Sequence, residues 1–232
     1  MSTPTAATTP LPYLLLSTAY LPSVAYMACV AQASHVVIEQ YETFPKQTLR
    51  NRTLIGTPQG SLALSIPLHR PFGNRTRTHE IELNYAEAWP VRHWRTIESA
   101  YSAAPFFLYY KDELQRTLLA PHTTLLTLND ALLACLCRRI GINCPIGLST
   151  DFLPPDAACT NGASRDANGG LVGDLRSTIT TKHYVAPCPL PPYTQVFTGR
   201  QPFLPNLSII DLLFNLGPET KDYLLSLPLM GD

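Results

Sequence analysis

The sequence predicts an α/β fold in which one domain opens with a βαβ unit. Two short apolar runs, residues 13–17 and 35–40, carry this prediction, because short runs rich in Leu, Val and Ile are typical of buried strands. A helical pattern of apolar residues lies between them, with Ser23 placed to cap it. A strand, a helix and a strand at this spacing are expected to bring the two strands together as parallel neighbours.

Length and composition fit one domain with short ends. The chain has 232 residues, of which 45% are hydrophobic, and no formal net charge. It can therefore bury a core, and it lacks the basic surface that nonspecific nucleic-acid binding needs. Residues 1–10 are rich in Thr, Ala and Pro and are predicted to be disordered. We expect the domain at residues 11–226, with a flexible insertion at about 154–173, and a C-terminal tail at 227–232.

The later elements extend the prediction to a mixed sheet with flanking helices and a C-terminal helix. Each strand is predicted from an apolar or alternating run, and each helix from apolar residues at helical spacing. The aromatic run at 106–110 is interpreted as core, and the basic stretch at 69–78 as a mobile loop. Strands are predicted at 62–67, 79–84, 146–149 and 193–197, and helices at 24–33, 90–103, 106–119, from a cap at Thr127 or Asn129 to 139, at 209–216 and at 220–225.

Cysteine usage predicts reduced thiols and a cytoplasmic protein. Cys135 and Cys137 stand two apart on a predicted helix, so they point to different faces and cannot bridge each other, and no CxxC pair marks a structural zinc site. Residues 11–33 are uncharged, but the basic residues that begin a signal peptide are missing, and Pro12 and Pro22 interrupt the segment. We expect neither a signal peptide nor a membrane span.

A cluster of charges follows the second strand. Residues 39–52 contain two glutamates, a lysine and two arginines, whereas residues 1–38 contain no Lys, Arg, Asp or Glu. Open α/β sheets bind ligands at the carboxyl ends of their strands, so Lys46, Arg50 and Arg52 are candidates to clamp a phosphate or a carboxylate. Two alternatives stay open, a solvated loop and a lattice of ion pairs with the two glutamates, Glu39 and Glu42.

Two pairs of arginines differ in their settings. Arg50 and Arg52 follow a strand end, whereas Arg75 and Arg77 lie in a loop bounded by Pro and Gly. A long side chain in a mobile loop loses more rotamer entropy when it is held in place. We therefore expect the first pair to contribute more to the binding of an anionic ligand.

His93 is the other candidate for chemistry. It lies at the start of a predicted helix, with Glu98 about one turn further along. A histidine there can act as a base, or it can serve as a capping or packing residue, and both interpretations stay open. No P-loop, GxGxxG or Ser-His-Asp motif occurs in the sequence.

Seven stretches of the chain, in order and with compatible spacing, together resemble one known family. They are STAYLP (17–22), VIEQ (37–40), KQTLRNR (46–52), LALSIP (62–67), HWRTIESAY (93–101), YTQVF (193–197) and LPNLSIIDLLFNLGPE (204–219). This set is similar to the WbqC-like family of bacterial proteins, and the resemblance spans about residues 14–225. Many relatives begin with His-Gln-Pro or Gln-Pro where this chain has Leu16-Ser17-Thr18, so no histidine is expected to act at that position.

The resemblance implies a role in modifying amino sugars of bacterial surface polysaccharides. One hypothesis is a transferase that acts on a nucleotide-linked or lipid-linked amino sugar, with the cations holding phosphates. The other is a noncatalytic binding or scaffold protein of an envelope-glycan pathway. No cofactor is assigned. The candidate catalytic residues are Glu39 and His93, and the candidate ligand-binding residues are Tyr20, Gln40, Lys46, Arg50, Asn51, Arg52 and Glu98.

Overall fold

The computed structural model describes residues 13–45, 48–154, 163–165, 171–176 and 190–228, and it confirms the predicted α/β fold. The predicted disordered N-terminus therefore lies outside the described residues. The strands are β1 (Tyr13–Ser17), β2 (Val36–Glu39), β3 (Arg52–Thr57), β4 (Gly60–Ser65), β5 (Leu68–His69), β6 (Glu82–Leu83), β7 (Ile146–Leu148), β8 (Ala163–Arg165) and β9 (Leu171–Asp174). The helices are α1 (Val24–Gln32), α2 (Trp89–Tyr101), α3 (Phe107–Leu119), α4 (Leu125–Ile140), α5 (Ile209–Leu216) and α6 (Thr220–Ser226).

The central sheet has five strands in the order β7-β2-β1-β9-β8. Strands β1 and β2 pair in parallel, with Leu14 opposite Val36 and Ser17 opposite Glu39, which confirms the predicted βαβ unit. Strands β7 and β9 also run parallel to their neighbours, whereas β8 at the edge is antiparallel to β9, so the sheet is mixed as predicted. The carboxyl ends of β7, β2, β1 and β9 therefore lie along one edge.

Helix α1 begins where the sequence predicts. The Ser23 hydroxyl accepts a hydrogen bond from Tyr26 N at 3.3 Å, and Oδ1 of Asn206 accepts one from Ala25 N at 2.7 Å. Two of the N–H groups that every helix start leaves without partners are thereby satisfied. Asn206 follows Ala25 by 181 positions, so local sequence rules cannot predict this contact. It ties the loop after β1 to the segment before α5.

The segment predicted as a flexible insertion, residues 154–173, contributes to the central sheet. Strands β8 and β9 form an antiparallel pair, and β9 lies beside β1 on the side opposite β2, with Leu14 opposite Gly173. The prediction of an unstructured loop was therefore wrong for these strands. It rested on missing apolar periodicity, which a four-residue strand does not need when backbone hydrogen bonds to a buried neighbour hold it.

The hairpin formed by β3 and β4 is a separate two-stranded sheet. Its first strand was not predicted, because it begins inside the charged cluster. Its second strand lies at Gly60–Ser65, two residues before the predicted 62–67. The strand predicted at 79–84 is reduced to β6, because Thr78–Glu80 forms a 3-10 turn.

The helices lie close to their predicted positions. Pro90 stands in the first turn of α2, and Gly141 follows α4 in a left-handed conformation, with φ of 81°. The cap of α4 is Thr124 rather than Thr127 or Asn129, since the Thr124 hydroxyl accepts a hydrogen bond from Thr127 N at 3.2 Å. Helices α5 and α6 match the predicted C-terminal helix and last turn.

Two predictions about apolar stretches were wrong. Residues 193–197 form no strand, because Gln195 hydrogen-bonds through its backbone N and O to Thr198, at 2.9 and 3.0 Å. The aromatic run at the start of α3 is only partly core. Phe107 is buried, whereas Tyr109 is 76% exposed, because a helix turns successive side chains to different faces.

The main core joins one face of the central sheet to the buried helices α1 and α5. Leu14 and Leu16 of β1 pack in this core with most of the apolar residues of both helices. A helix that is apolar on all sides is buried on all sides, so α1 and α5 form the interior of the domain. No helix in the described ranges is long and apolar enough to cross a bilayer.

The cysteines of the described residues fit the prediction of thiols. Cys135, Cys137 and Cys144 are free, and burial raises the pKa of each thiol, for Cys137 to about 12. These thiols are therefore protonated and unreactive near neutral pH. Cys159 and Cys188 lie outside the described residues.

Candidate functional site

A cleft opens at the carboxyl edge of the central sheet, beyond the ends of β1 and β9. The space between its lining atoms is about 280 Å³ when open solvent is included, and its enclosed part, about 10 Å³, has room for about one water molecule. Strand β1 has β2 on one side and β9 on the other, and open α/β sheets bind ligands at such positions, outside the carboxyl ends of their strands. The side chains that line the cleft include Ser17, Thr18, Tyr26, Leu49, Arg50 and Arg176.

Arg50 is a predicted ligand-binding residue that lines this cleft. Its Nε and Nη2 each donate to a carboxylate oxygen of Glu42 at 2.8 Å, and Nη2 also donates to the Ser17 hydroxyl at 2.6 Å. Nη1 makes no hydrogen bond to the described residues, and it is not among the fully buried polar atoms, so solvent reaches it. The ion-pair alternative therefore holds for Arg50, but one edge of its guanidinium stays open to the cleft.

Arg176 is a second cation of the cleft, and no sequence signal pointed to it. Its Nε and Nη2 donate to both carboxylate oxygens of Asp174, at 2.9 and 2.6 Å, and Nη1 donates to the Leu153 carbonyl at 2.7 Å. Nη1 also lies 3.8 Å from Oε2 of Glu39. Burial acts to lower the pKa of this guanidinium, but Asp174, Glu42 and Glu39 together raise it above its ordinary value. Arg176 therefore joins the carboxyl ends of β9 and β2 and stays charged.

Glu39, a candidate catalytic residue, is fully buried at the end of β2. Its carboxylate accepts hydrogen bonds from Tyr41 N at 2.7 Å, the Ser149 hydroxyl at 3.1 Å and Leu153 N at 3.0 Å. Gln40 makes a related contact, since its Nε2 donates to the Ser149 carbonyl at 2.6 Å. The side chains of Glu39 and Gln40 both connect the end of β2 to the segment that follows β7. They therefore stabilise this edge of the cleft.

The two cations of the cleft face three carboxylates. Arg50 and Arg176 are each paired, and the carboxylates of Glu39, Glu42 and Asp174 lie among them. A ligand anion therefore meets only the N–H groups that these pairs leave open. Within the described part of the chain, no three or more His, Cys, Asp or Glu side chains are grouped so that they could hold a metal ion.

His93, the other candidate catalytic residue, is buried against Tyr20. The Tyr20 hydroxyl lies 2.9 Å from His93 Nδ1, and the Trp89 ring packs edge-on with its centroid 5.2 Å away. Burial lowers the pKa of His93 to about 4, the charge of Arg92 adds to this, and a hydrogen bond with the Ser65 backbone opposes it. The imidazole is therefore neutral near pH 7. The tautomer that satisfies both partners carries its proton on Nε2, towards Ser65.

A second, smaller opening of about 230 Å³ lies between the loop after β1 and β3. Tyr20 and Arg52 line it, and Nε of Arg52 is buried without a hydrogen-bond partner in the described residues. Asn51 instead donates through Nδ2 to a backbone carbonyl at 3.1 Å. Glu98 is exposed on α2 and lines neither opening. Lys46 lies outside the described residues.

Helix α4 contacts two residues that line the first cleft, Thr18 and Arg50, and the sequence analysis does not predict this contact. Nδ2 of Asn129 donates to the Thr18 hydroxyl at 3.1 Å and to the Arg50 carbonyl at 2.8 Å. Next to it, Asp130 has a pKa raised to about 6 by burial, and its charge acts on Tyr26. A polar residue near a helix start predicts a cap, but the side chain of Asn129 contacts Thr18 and Arg50 instead.

Comparisons with known proteins cover nearly all of the chain. A sequence model of the WbqC-like protein family matches residues 18–187 and 176–223. The uncharacterized protein Rv1507c of Mycobacterium tuberculosis is 29% identical over 223 residues, which cover 88% of this chain and 94% of that protein. No solved structure matches the chain significantly. The match includes both the loop after β1 and helix α5, and the chain belongs to the WbqC-like protein family.

Proposed function

We propose that this protein is a transferase acting on a phosphate-linked amino sugar, nucleotide-linked or lipid-linked, in the modification of a bacterial surface polysaccharide. The observation that carries the proposal is the open Nη1 edge of Arg50 in the cleft at the carboxyl ends of β1 and β9. The resemblance to the WbqC-like family motivates the choice of an amino sugar.

The fixed guanidinium of Arg50 suits an anion. Glu42 and Ser17 hold its Nε and Nη2, so binding a phosphate at Nη1 orders no further rotamers. Arg176 adds a second buried positive charge, and the side chains of Ser17 and Thr18 line the same cleft. A hydrogen bond to a charged group contributes about 1.5–3 kcal/mol, so one such contact accounts for measurable affinity.

The transfer itself needs a base. When an acyl group moves to the amino group of a sugar, an N–C bond forms, the bond from the acyl carbon to its leaving group breaks, and the amine loses a proton. A base role for Glu39 or His93 stays a prediction. Both are buried and already hydrogen-bonded, which supports positioning roles: Glu39 for the cleft rim and His93 for Tyr20.

The experiment is a ligand screen followed by a turnover assay. A ligand that binds only the folded protein raises the melting temperature, so purified protein is heated with nucleotide-linked amino sugars and acyl donors in turn. We expect at least one amino sugar to raise the melting temperature, and mass spectrometry to detect its acylated product. Ser17→Ala should weaken the shift, whereas Arg95→Ala on the exposed face of α2 should leave it unchanged. No shift and no product with any pair would overturn the proposal.

A noncatalytic binding protein of an envelope-glycan pathway is the second candidate. The observation that favours it is the charge balance of the cleft, in which three carboxylates compensate two arginines. Under this alternative, a glycan or a protein partner binds without turnover. Equal melting-temperature shifts with and without an acyl donor, and no product, would favour this candidate over the transferase.

We also propose a cytoplasmic location, where activated sugars and reduced thiols occur together. The free thiols of Cys135, Cys137 and Cys144 support it. The measurement is the intact mass of the protein from cells, alkylated with and without prior reduction. A mass that shows a stable disulfide in the native protein would contradict this location.

A further inference from the structure

Among the described residues that line the second opening, Arg52 is the one that carries a charge. The other lining residues come from the loop after β1, the region around the start of β3 and the segment before α5, and all of them are uncharged. The first cleft differs, because Arg50 and Arg176 lie there among three carboxylates. The positive charge of Arg52 is therefore not compensated within the opening that it lines.

The guanidinium of Arg52 makes no ion pair and no hydrogen bond within the described ranges of the chain. Its Nε is fully buried, whereas Nη1 and Nη2 are not among the fully buried polar atoms, so solvent reaches them. A buried donor without an acceptor destabilises a fold and is uncommon in native proteins. An anion that reaches Nε would therefore remove an unfavourable feature of the protein.

The walls of the second opening are held in place by hydrogen bonds. The hydroxyls of Thr53 and Ser208 both donate to the Leu21 carbonyl, at 2.8 and 2.9 Å. Leu21 and Asn206, which also line the opening, are the two non-glycine residues with positive φ in the described ranges, at 40° and 53°. Strained backbone of this kind is concentrated at ligand-binding sites. Because the walls are already fixed, a ligand has little of the protein to order when it binds.

The size of the second opening limits the group that can enter it. Its enclosed part is about 10 Å³, which has room for about one water molecule. One carboxylate oxygen fits such a space, whereas a sugar ring does not. A carboxylate is planar and accepts two parallel N–H bonds from a guanidinium, and Nε and one Nη lie along the same edge of that group. One oxygen at the buried Nε and the other at the neighbouring, solvent-accessible Nη would use this geometry.

Two other candidate residues are connected to the second opening. Tyr20 lines it, and the Tyr20 hydroxyl lies 2.9 Å from His93 Nδ1. His93 also hydrogen-bonds with the backbone of Ser65, which stands opposite Arg52 in the hairpin of β3 and β4. Tyr20, His93 and Arg52 are therefore linked by contacts at the second opening, whereas Arg50 lies in the first cleft.

We propose that the second opening is a separate binding site, at which Arg52 binds the carboxylate group of a small organic acid or amino acid. This inference goes beyond the proposed function, because the phosphate of the amino sugar is assigned to Arg50 and the carboxylate belongs to a different ligand. Arg50 and Arg52, which the sequence predicts as parts of one clamp, thereby serve two sites.

The test follows the Nε–H signal of Arg52 by NMR while sodium acetate is added to the full-length protein at constant ionic strength. Since this N–H is buried, it exchanges slowly with solvent and its signal is observable. We expect acetate to move the signal along a curve that saturates, because the carboxylate accepts a hydrogen bond from Nε. Methyl acetate, which has no charge, and sodium chloride should leave the signal in place.

Three variants locate the bound acetate, with affinities measured from the relaxation of its methyl protons. Arg52→Lys keeps the charge but loses the two parallel N–H bonds, so we expect the affinity to fall about tenfold. Leu54→Phe enlarges an apolar side chain of the lining and leaves Arg52 in place, and it should also weaken binding. Arg77→Lys is the matched control, because Arg77 is exposed and lines neither opening, and it should bind as wild type does.

The wild-type titration decides the proposal even if a variant fails to fold. An Arg52 signal that acetate does not move, or that chloride moves equally, would overturn it, and so would affinity that survives both Arg52→Lys and Leu54→Phe. Tighter binding of inorganic phosphate than of acetate at Arg52 would overturn the assignment to a carboxylate. None of these results concerns the cleft at Arg50, so the transferase proposal stands or fails by its own ligand screen.

Discussion

Arg50 and Glu42 form a two-point ion pair, in which Nε and Nη2 of the arginine each lie 2.8 Å from a carboxylate oxygen of the glutamate. Their side chains are only 9% and 13% exposed, so the pair is largely removed from water. Nη2 also donates to the Ser17 hydroxyl at the end of β1, while the Glu42 carbonyl accepts a hydrogen bond from Thr78 N at 3.0 Å. The pair therefore connects the end of β1 in the central sheet with the segment that contains Glu42.

Replacing one partner of this pair should destabilise the fold. Arg50→Ala leaves a buried carboxylate without its partner, and we expect it to lower the free energy of unfolding by about 3–5 kcal/mol. Glu42→Gln leaves the buried guanidinium without its charged partner, and we expect a similar loss in free energy of unfolding. The double variant Arg50→Ala/Glu42→Gln should lose less than the sum of the two single losses, because it leaves no unpaired buried charge. Urea unfolding of all three variants measures the coupling, and additive losses would contradict it.

The opening of the fold could be predicted because local signals and the tertiary structure agree there. The apolar runs before and after α1 are strands, and Ser23 caps the helix in both the prediction and the structure. The segment around Gln195 is a case in which the local sequence signals and the tertiary structure disagree. Gln195 Nε2 and the Tyr193 hydroxyl both donate to the buried carboxylate of Asp211, at 3.0 and 2.6 Å. The run at 193–197 predicts a strand, but two of its side chains bind Asp211 of α5, a contact that local sequence rules do not show.

The candidate site was only partly predictable for a similar reason. Arg50 is predicted as a ligand-binding residue because its charged neighbours stand close together in the sequence. Arg176 was not, because its role depends on β9 lying beside β1. Asn129 reaches Thr18 and the Arg50 carbonyl from α4, and nothing in the sequence signals that approach. Arg50 of the charge cluster lies at the carboxyl edge of the sheet, and Arg176, which lines the same cleft, comes from a distant part of the chain.

The buried His93 should make stability depend on pH. Burial lowers its pKa from an ordinary 6.5 to about 4, so between these values the unfolded chain binds the proton and the folded chain does not. Stability from this group is therefore fully present above about pH 6.5 and is lost as the pH falls towards 4. A shift of this size corresponds to about 3 kcal/mol.

The measurement is urea unfolding between pH 4 and 7 for wild type and His93→Gln, which cannot titrate. We expect the difference in free energy of unfolding between the two proteins to grow with pH across this range. Tyr20→Phe removes the hydroxyl that bonds to Nδ1 but leaves the histidine, so it serves as the control for a lost contact alone. A difference that stays constant with pH would show that His93 titrates normally in the folded protein.

Asp130 should act in the opposite direction over part of the same range. Burial raises its pKa from 3.8 to about 6, so the folded protein holds this proton more tightly than the unfolded chain does. Its contribution therefore falls as the pH rises from about 4 to 6. Since the side chain is partly exposed, solvent screening reduces the effect, and we expect Asp130→Asn to stabilise the protein at pH 7 by about 1 kcal/mol. A destabilised Asn variant at pH 7 would contradict this.

Asn206 should be needed for the junction between α1 and the segment before α5. Its Oδ1 accepts the Ala25 N–H at 2.7 Å, and its φ of 53° is a left-handed conformation that asparagine tolerates. Asn206→Ala loses the acceptor and strains the backbone, so we expect a loss of about 1–3 kcal/mol in free energy of unfolding. Asn206→Asp keeps the acceptor and should cost much less. Thermal unfolding of the two variants measures this, and equal losses would show that the hydrogen bond is unimportant.

Gly217 should tolerate no side chain at the end of α5. Its φ of 56° and ψ of −120° favour glycine, and a Cβ atom there would lie 2.5 Å from ring carbons of Phe106. We therefore expect Gly217→Ala to lower the free energy of unfolding by about 2–5 kcal/mol, from backbone strain and overlap together. Gly60→Ala is the matched control. Gly60 also has a positive φ, of 115°, but nothing lies within 4 Å of the added atom.

The two contributions at Gly217 can be separated by a double-mutant cycle. Phe106→Ala removes the ring that the new Cβ would meet but leaves the backbone conformation unchanged, so Gly217→Ala should be less harmful in that background by about 1–3 kcal/mol. The remaining loss should then approach that of Gly60→Ala, because only strain is left in both. Urea unfolding of the four proteins gives the coupling energy. Purely additive losses would mean that the Phe106 ring does not pack against Gly217 and that the end of α5 lies differently.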